Sequence, residues 1–255
     1  MSSHREQILD QFTRQAVPFS TAGPIRDEAV LDLLVRAAGT GADDTVLDVA
    51  CGPGLVACAF ARVARQVTGV DLTPAMLERG RVLAAEKGIS NVNFRLGDVQ
   101  PLPFADGAFS IVVSRFAFHH FLEPAAVLAE MRRVCRPGGR IVVADLMASP
   151  DPAKAAAFHE MEMLRDPSHA RALTLTELRT LFRDGGLATP EESYWRMDID
   201  VEMLMDRSFP VPGSESRIRQ MFADSLAGDA MGLEMRREDG RLQFTYSNVI
   251  LASVR

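Results

Sequence analysis

A glycine-rich turn is the clearest chemical feature of this 255-residue sequence. Gly52-Pro53-Gly54 follows the predicted strand Thr45–Ala50, with Cys51 between them. Glycines at such a turn let the backbone approach a ligand closely, and the helix that follows presents free N–H groups in its first turn. The stretch from Gly52 to Ala57 also fits the loose glycine pattern of dinucleotide sites, so the turn alone leaves the ligand open.

Three aspartates accompany this turn on successive predicted strands. Asp71 stands 19 positions after Gly52, where a carboxylate can accept hydrogen bonds from both hydroxyls of an adenosine ribose. Asp98, next to Gly97, follows the third strand, and Asp48 lies within the first. A further carboxylate here would repel a pyrophosphate and attract a sulfonium or ammonium group. A lone aspartate after a strand is often only a helix cap, but the three together predict a site for a zwitterionic ligand that carries adenosine.

Two adjacent histidines, His119 and His120, follow the fourth predicted strand. An imidazole with its ordinary pKa of about 6.5 can take a proton from a reacting group at neutral pH. Asp145, at the end of the fifth strand, would face the same crevice and could orient a histidine or act as the base itself. The alternative is that each histidine is a packed residue that caps the following helix.

Two other segments are candidates for covering a substrate. His169 and Arg171, after the fifth strand, could bind an anionic or carbonyl group, or could belong to a solvated helix end. Phe12, Gln15 and Phe19 could close over the ligand or dock on the core, and Phe19 is the candidate for substrate contact. We expect residues 1–40 to form lid helices, and residues 147–172 and 198–235 to be insertions that cover the substrate.

Short apolar runs alternate with helical patterns as far as Leu146, which is typical of a parallel sheet with crossover helices. The predicted strands are Thr45–Ala50, Gln66–Val70, Asn91–Leu96, Phe109–Ser114 and Arg140–Leu146. The predicted helices are Leu55–Ala64, Pro74–Lys87 and Pro124–Cys135, and Arg136–Gly139 is predicted to be a turn. Right-handed crossovers then give a doubly wound α/β sheet, which brings the turn, the aspartates and the histidines to one edge.

The later part of the sequence shows a different pattern. A helix over Leu173–Arg183 is followed by two predicted strands, Glu191–Met197 and Leu242–Ser253. A strand pair after the parallel units implies an antiparallel edge. We therefore expect a mostly parallel seven-stranded sheet with an antiparallel C-terminal strand pair, in a single domain of residues 1–255.

Composition limits the partners and the location. Asp and Glu outnumber Lys and Arg by 34 to 28, which gives a net charge of -6, whereas nucleic-acid binders usually show a basic excess. The sequence has neither a secretory signal pattern nor the roughly 18 apolar residues of a membrane span, so we expect a cytoplasmic protein. Cys51, Cys58 and Cys135 lack CxxC spacing and predict reduced, mostly buried thiols without a metal site.

The sequence resembles the class I S-adenosylmethionine-dependent methyltransferases, which have a Rossmann-like fold. It is most similar to their small-molecule group, methyltransferase type 11, which includes enzymes of the ubiquinone- and menaquinone-biosynthesis type. The resemblance runs from about Thr45 to Leu146, through LDVACGPG, VDLTPAML, GDVQPLPF, FSIVVSRFAFHHF and RVCRPGGRIVVAD. It implies that S-adenosylmethionine donates a methyl group to a small molecule and that S-adenosylhomocysteine is the product.

The resemblance also implies which residues contact each part of the cofactor. The methionine part would lie along the glycine-rich turn at Ala50, Gly52 and Gly54, with the backbone of Arg115 near the sulfonium. The ribose and adenine would be bound further along the chain, by Asp71 at the ribose diol, Leu72 and Met76 against the adenine ring, and Gly97, Asp98 and the Val99 N–H at the adenine edge.

Two alternative functions remain open. An NAD(P)-dependent oxidoreductase would explain the glycine turn and Asp71, but not Asp48, Asp98 or the late strand pair. Neither Tyr194 nor Tyr246 has the lysine four positions on that such enzymes use. The second alternative is a non-catalytic protein that binds S-adenosylmethionine. The sequence leaves the acceptor open among O, N and C nucleophiles, with a phenolic or quinone-like molecule favoured by the resemblance, and leaves a homodimer open as an oligomeric state.

Overall fold

The computed structural model describes residues 3–21 and 23–255. These residues form an eight-stranded sheet with helices around it. The parallel strands are β1 (Thr45–Val49), β2 (Gln66–Asp71), β3 (Val92–Leu96), β4 (Phe109–Arg115) and β5 (Cys135–Leu146). The antiparallel strands are β6 (Glu191–Asp200), β7 (Arg236–Glu238) and β8 (Arg241–Val254). The order is β3-β2-β1-β4-β5-β8-β6, with β7 paired to β8. This order confirms the doubly wound, mostly parallel sheet with an antiparallel C-terminal edge.

Helices cover both faces of the sheet and its ligand-binding edge. The helices of the described residues are α1 (His4–Thr21), α2 (Glu28–Ala37), α3 (Leu55–Ala61), α4 (Pro74–Glu86), α5 (Pro124–Val134), α6 (Pro152–Arg165), α7 (Leu175–Asp184), α8 (Val201–Met205) and α9 (Glu215–Asp224). Short 3-10 turns cover Gly23–Arg26 and Phe118–His120. Proline opens α4, α5 and α6, because its fixed φ and missing N–H suit the first position of a helix.

The centre of the sheet is buried on both faces, because alternate side chains of each strand enter opposite clusters. Val46 and Ile111 pack with the apolar residues of α2, α3 and α4, whereas Leu47 and Val112 pack with those of α5 and α7. All four side chains are buried. Since burial of each such side chain is worth about 1.5–3 kcal/mol, these layers give the strand ends a stable platform.

The sheet has one strand more than the predicted seven. Arg236–Glu238 forms β7, which pairs with the beginning of β8. Asp239 and Gly240 join them with φ values of +48° and +78°, the left-handed conformations of a two-residue hairpin turn. The prediction missed β7 because a three-residue strand is too short to show a hydrophobic period.

The predicted turn at Arg136–Gly139 lies inside β5, so the strand begins at Cys135 and not at Arg140. Phe109 of β4 pairs with Cys135, and Ile111 pairs with Arg140. Two steps along β4 therefore match five along β5, and the extra residues form a bulge. A Cβ atom at Gly139 would lie 2.6 Å from the carbonyl oxygen of Ser110, which explains why glycine occupies the bulge.

The two segments predicted as insertions pack against each other at the outer end of β6 and β8. Phe158 of α6, Phe222 of α9 and Phe244 of β8 are fully buried in one apolar cluster. The three cysteines are free and buried, as expected. Among the described residues, no helix has the length and apolarity that a bilayer span requires.

Candidate active site

The carboxyl ends of β1, β2 and β4 open into a cavity of about 370 Å³. The strand order reverses between β1 and β4, and doubly wound sheets bind their ligands at such a switch point. The cavity brings together most of the predicted cofactor residues with His120 of the histidine pair and two aromatic residues of the lid segment, namely Ala50, Gly52, Asp71, Leu72, Met76, Asp98, Val99, Arg115, His120, Phe12 and Phe19.

Asp71 ends β2 with a carboxylate that backbone donors hold in place. The N–H of Gly52 donates to its Oδ2 and the N–H of Thr73 donates to its Oδ1, each at 2.8 Å. Burial raises the pKa of Asp71, and the backbone N–H donors oppose that rise by stabilising the ionised form. The carboxylate keeps further acceptor capacity toward the cavity that it lines.

Helix α1 closes the cavity beyond the ends of β3 and β4. Arg5 forms an ion pair with Asp98, whose Oδ1 accepts a hydrogen bond of 2.7 Å from the N–H of Val99. The ring of His4 donates to the carbonyl oxygen of His120 at 2.7 Å. The first turn of α1 therefore links the two strand ends across the cavity.

Arg115 and Asp48 carry polar atoms without partners beside the glycine-rich turn. Among the described residues, Nε and Nη2 of Arg115 and Oδ2 of Asp48 are buried and make no hydrogen bond. Burial raises the pKa of Asp48 to about 8, helped by the charge of Asp71, and burial lowers the pKa of Arg115 to about 10. Such atoms are costly unless a ligand or water pairs with them, so they suit the charged end of an amino acid.

A second cavity of about 110 Å³ adjoins the first. The two cavities share a wall formed by Phe12, Phe19, Ile25, Phe116 and His120. The rest of the second cavity is lined by apolar side chains of the sheet end and α8, together with a few polar groups, and these include His119, Leu146, Arg165, Asp166, Met197, Ile199, Leu204, Arg207 and Tyr246.

His119 and Asp145 form a buried dyad at this second cavity. Nδ1–H of His119 donates to Asp145 at 2.6 Å, which leaves the other ring nitrogen for a ligand. Burial alone would lower the pKa of His119, but the charge and hydrogen bond of Asp145, with the charges of Glu162 and Asp166, raise it overall.

His120 is held differently, although its ring lies only 4.3 Å from that of His119, centroid to centroid. Its Nδ1–H donates to the carbonyl oxygen of Ser168 at 2.9 Å. Burial and the neighbouring charge of His119 lower the pKa of His120 to about 4. At neutral pH it is therefore an uncharged imidazole that lines both cavities.

The structure does not bring His169 or Arg171 to either cavity. His169 is buried behind the histidine pair, with ring centroids 5.6 Å from His119 and 5.5 Å from His159. Arg171 is exposed and forms an ion pair of 2.7 Å with Glu177. Their positions therefore give no support to the expectation that they bind substrate.

Gly54 and Gly97 are also absent from the cavity walls. A Cβ atom at Gly54 would lie 2.7 Å from the ring of Phe94, and one at Gly97 would lie 3.0 Å from Pro103. These glycines serve close packing between elements. Asp48 likewise lies behind the wall, next to Arg115.

His4, Arg5 and Arg207 are polar residues at the cavities that the sequence reasoning missed. His4 and Arg5 lie on α1, and Arg207 follows α8. None belongs to a motif or stands at the end of a predicted parallel strand. Only the packing of distant segments brings them to the site, so no local signal could have identified them.

Comparison with known proteins shows the same architecture in methyltransferases. A family model described as a methyltransferase domain matches residues 47–143. The uncharacterized methyltransferase YcgJ of Bacillus subtilis is 30% identical over 247 residues, which cover 93% of this chain and 98% of that protein. The YcgJ crystal structure has a TM-score of 0.82 at 28% identity, with 89% of this chain and 98% of that chain covered.

A more distant structure shares the fold. Geranyl diphosphate C-methyltransferase from Streptomyces coelicolor A3(2), in complex with Mg²⁺, geranyl diphosphate and S-adenosylhomocysteine, has a TM-score of 0.62 at 22% identity. The match covers 89% of this chain and 78% of that enzyme's chain.

The doubly wound sheet and the late antiparallel strands, together with these similarities, define the class of S-adenosylmethionine-dependent methyltransferases. This chain belongs to the methyltransferase-domain family, with YcgJ as a relative over nearly its whole length. It is therefore a methyltransferase, and the oxidoreductase alternative is set aside.

Proposed function

We propose that this methyltransferase transfers the methyl group of S-adenosylmethionine to a small molecule bound in the second cavity. The observation that carries the proposal is the wall that the two cavities share, at Phe116 and His120. Methyl transfer needs direct contact between donor and acceptor, so a donor in the first cavity and an acceptor in the second would meet beside these shared residues. The volume of about 110 Å³ suits a small molecule, and the net charge of -6 argues against a nucleic acid.

The first cavity offers a partner for each part of the adenosine group. The carboxylate of Asp71 accepts the ribose hydroxyls, while Leu72 and Met76 pack against the adenine ring. The carboxylate of Asp98, which the N–H of Val99 orients, binds the polar edge of the adenine. The fit is supported by the backbone donors that already orient Asp71.

The methionine part of the cofactor lies along Ala50 and Gly52, with its carboxylate on Arg115. Nε and Nη2 of Arg115 are buried donors without a partner among the described residues, which suits a carboxylate. This assigns Arg115 a role through its side chain, whereas the sequence predicted one through its backbone. Asp48 lies behind the wall with a pKa of about 8, so it is mostly protonated at neutral pH, and a bound ammonium group would favour its ionised form.

When bound, S-adenosylmethionine supplies a methyl group that its positively charged sulfur has already activated. The protein then has to hold the acceptor in line, exclude water and take a proton where the nucleophile loses one. His119 takes this proton, because Asp145 occupies its Nδ1 and stabilises the charged imidazolium. His120 stays neutral between the cavities and orients the acceptor through its remaining ring nitrogen.

Helix α1 and the two later segments cover the bound molecules. Phe12 and Phe19 of α1 line both cavities, and the pairing of Arg5 with Asp98 holds α1 in place. Asp166 from residues 147–172 and Arg207 from residues 198–235 line the second cavity. These contacts support the lid and covering roles expected for residues 1–40, 147–172 and 198–235.

Calorimetry and a turnover panel test this proposal together. S-adenosylhomocysteine is titrated into the protein with NAD and NADP as controls, and phenols, enols, amines and carboxylic acids are then screened for methylated product by mass spectrometry. We expect binding of S-adenosylhomocysteine alone and methylation of at least one small molecule. Binding of NAD or NADP alone, or methylation that occurs only on protein or nucleic acid, would overturn the proposal.

A further inference from the structure

The charged groups that line the second cavity differ in whether the protein itself pairs them. Arg165, Asp166 and Arg207 line it together with the histidine pair. The cavity is mostly apolar, so little solvent screens these charges and their electrostatic interactions with a ligand are strong. The partners of each charged group therefore indicate what the cavity can bind.

Arg165 and Asp166 are satisfied within the protein. Nε of Arg165 donates to Glu162 at 2.9 Å, and the guanidinium also lies 3.9 Å from Asp166. Asp166 accepts a hydrogen bond of 2.9 Å from the N–H of Ser168. Glu162 in turn accepts from the hydroxyl of Tyr246 at 2.6 Å. This network pairs one arginine with two carboxylates, Glu162 and Asp166, so it leaves no guanidinium charge free for a ligand.

Arg207 has no such partner. Its Nε donates to the carbonyl oxygen of Met203 at 2.7 Å, which fixes the guanidinium without neutralising it. Its Nη2 is buried and makes no hydrogen bond with any residue that the structure describes, and no carboxylate of those residues lies within ion-pair distance. A buried donor without a partner costs about 1–3 kcal/mol, more when it is charged, unless a ligand satisfies it.

We propose that Arg207 determines the acceptor specificity of this enzyme by binding a carboxylate on a small, singly anionic acceptor. The planar guanidinium matches a carboxylate in shape and charge. The cavity of about 110 Å³ approaches the size of an engineered protein cavity of about 150 Å³ that holds benzene, which indicates an acceptor of about one ring. This inference rests on the proposed function, since it assumes that the second cavity holds the acceptor.

Trp195 provides a direct readout of binding in this cavity. It is the only tryptophan of the chain, and its ring lies 5.8 Å, centroid to centroid, from that of Phe116 in the wall between the cavities. A ligand that contacts Phe116 should therefore change its fluorescence. Benzoate and its neutral analogue benzamide serve as the probes, with S-adenosylhomocysteine at saturation.

In the wild-type protein, we expect benzoate to bind at least tenfold more tightly than benzamide. Arg207→Gln should abolish this preference and leave the affinities for benzamide and S-adenosylhomocysteine unchanged. Arg207→Lys, which keeps the charge but not the planar donors, should retain part of the preference. Arg171→Gln, at the exposed arginine paired with Glu177, is the matched control and should retain all of it.

Equal affinity for the two probes in the wild-type protein, or an undiminished preference for benzoate in Arg207→Gln, would overturn the role of Arg207. The measurement needs no turnover. A failure of the proposed function would instead appear as missing methylation of every small molecule, so the two failures are distinguishable.

Discussion

At the scale of single residues, the site depends on carboxylates whose surroundings set what they can accept. Asp71 is buried, yet two backbone N–H groups hold both of its oxygens in fixed directions. Asp145 is buried as well, and its Oδ1 accepts hydrogen bonds from Nδ1 of His119 and from the N–H of Leu146. Asp71 is thus oriented to accept hydrogen bonds from neutral hydroxyl groups. Asp145 is placed to stabilise the His119 ring when that ring gains a proton.

Replacing Asp71 should selectively damage cofactor binding. We expect Asp71→Ala to weaken S-adenosylhomocysteine binding at least tenfold, about 1.4 kcal/mol, because the ribose hydroxyls lose their acceptor. Isothermal titration calorimetry measures this change. Asp184→Ala is the control, since Asp184 is exposed and pairs with its neighbour Arg183. An unchanged affinity in Asp71→Ala would contradict the ribose assignment.

The pH dependence of methyl transfer should report His119. A base must be unprotonated, and the raised pKa of His119 means that it keeps its own proton to a higher pH than an ordinary histidine. The rate should therefore fall as the pH drops through a midpoint above about 6.5. Asp145→Asn removes the charge that raises the pKa, so the midpoint should move to lower pH while the maximal rate falls.

The measurement is a profile of kcat/KM against pH for both proteins, with affinity for S-adenosylhomocysteine as the folding control. A midpoint that stays in place or rises in Asp145→Asn would exclude His119 as the base whose pKa Asp145 raises.

At the scale of elements, α1 decides whether the cavities are closed. Its first turn reaches the ends of β3 and β4 through Arg5 and His4, and its aromatic side chains form the shared wall. The ring of Phe12 meets that of His120 edge-on, with centroids 4.9 Å apart. Movement of this one helix would therefore open both cavities together.

Arg5→Ala should speed the release of S-adenosylhomocysteine. Arg5 and Asp98 are 58% and 36% exposed, so their pair is worth roughly 0.2–1 kcal/mol and the increase should be up to about fivefold. Stopped-flow fluorescence of Trp195 gives the rate, and high salt should reduce the difference from wild type. Arg81→Ala removes a similarly exposed pair, with Glu78 on α4, and should leave the rate unchanged. Equal rates for Arg5→Ala and wild type would refute the lid role of this pair.

At the scale of the whole molecule, two apolar layers hold the sheet, and a third cluster joins the covering segments to it. Phe60 of α3 lies in the layer beneath the glycine-rich turn and is fully buried. The layers, more than any polar contact, supply the rigidity that keeps the strand ends in register.

Removing a central side chain should therefore cost global stability. We expect Phe60→Ala to lower the free energy of unfolding by about 3–5 kcal/mol, through lost burial and the cavity left behind. Leu96→Ala is the control, because Leu96 is 57% exposed and its loss should change stability by less than about 0.5 kcal/mol. Urea unfolding measures both, and similar midpoints for the two variants would contradict this account of the core.

The strands, the helices and much of the lining of the first cavity could be predicted, because their signals are local. Local conformation is set by features that span only a few residues, such as periodic apolar runs, prolines at helix starts and the glycines Gly52 and Gly54. A carboxylate at the end of a parallel strand, such as Asp71, is carried to the ligand edge by the fold class itself. The function therefore followed from short segments whose geometry the sheet makes nearly obligatory.

Contacts between distant segments could not be predicted in this way. Arg5 meets Asp98 across 93 positions of sequence, and the His119–Asp145 dyad depends on how two parallel strands are aligned. Arg207 reaches the second cavity, whereas Arg171 does not, although both are arginines in covering segments. Amino-acid type and spacing predicted the fold class and an adenosine-carrying ligand, and the resemblance that the motifs carry implied the class of protein and its cofactor. Which charges face the acceptor was decided only by tertiary packing, because burial and pairing are properties of neighbours in space and not along the chain.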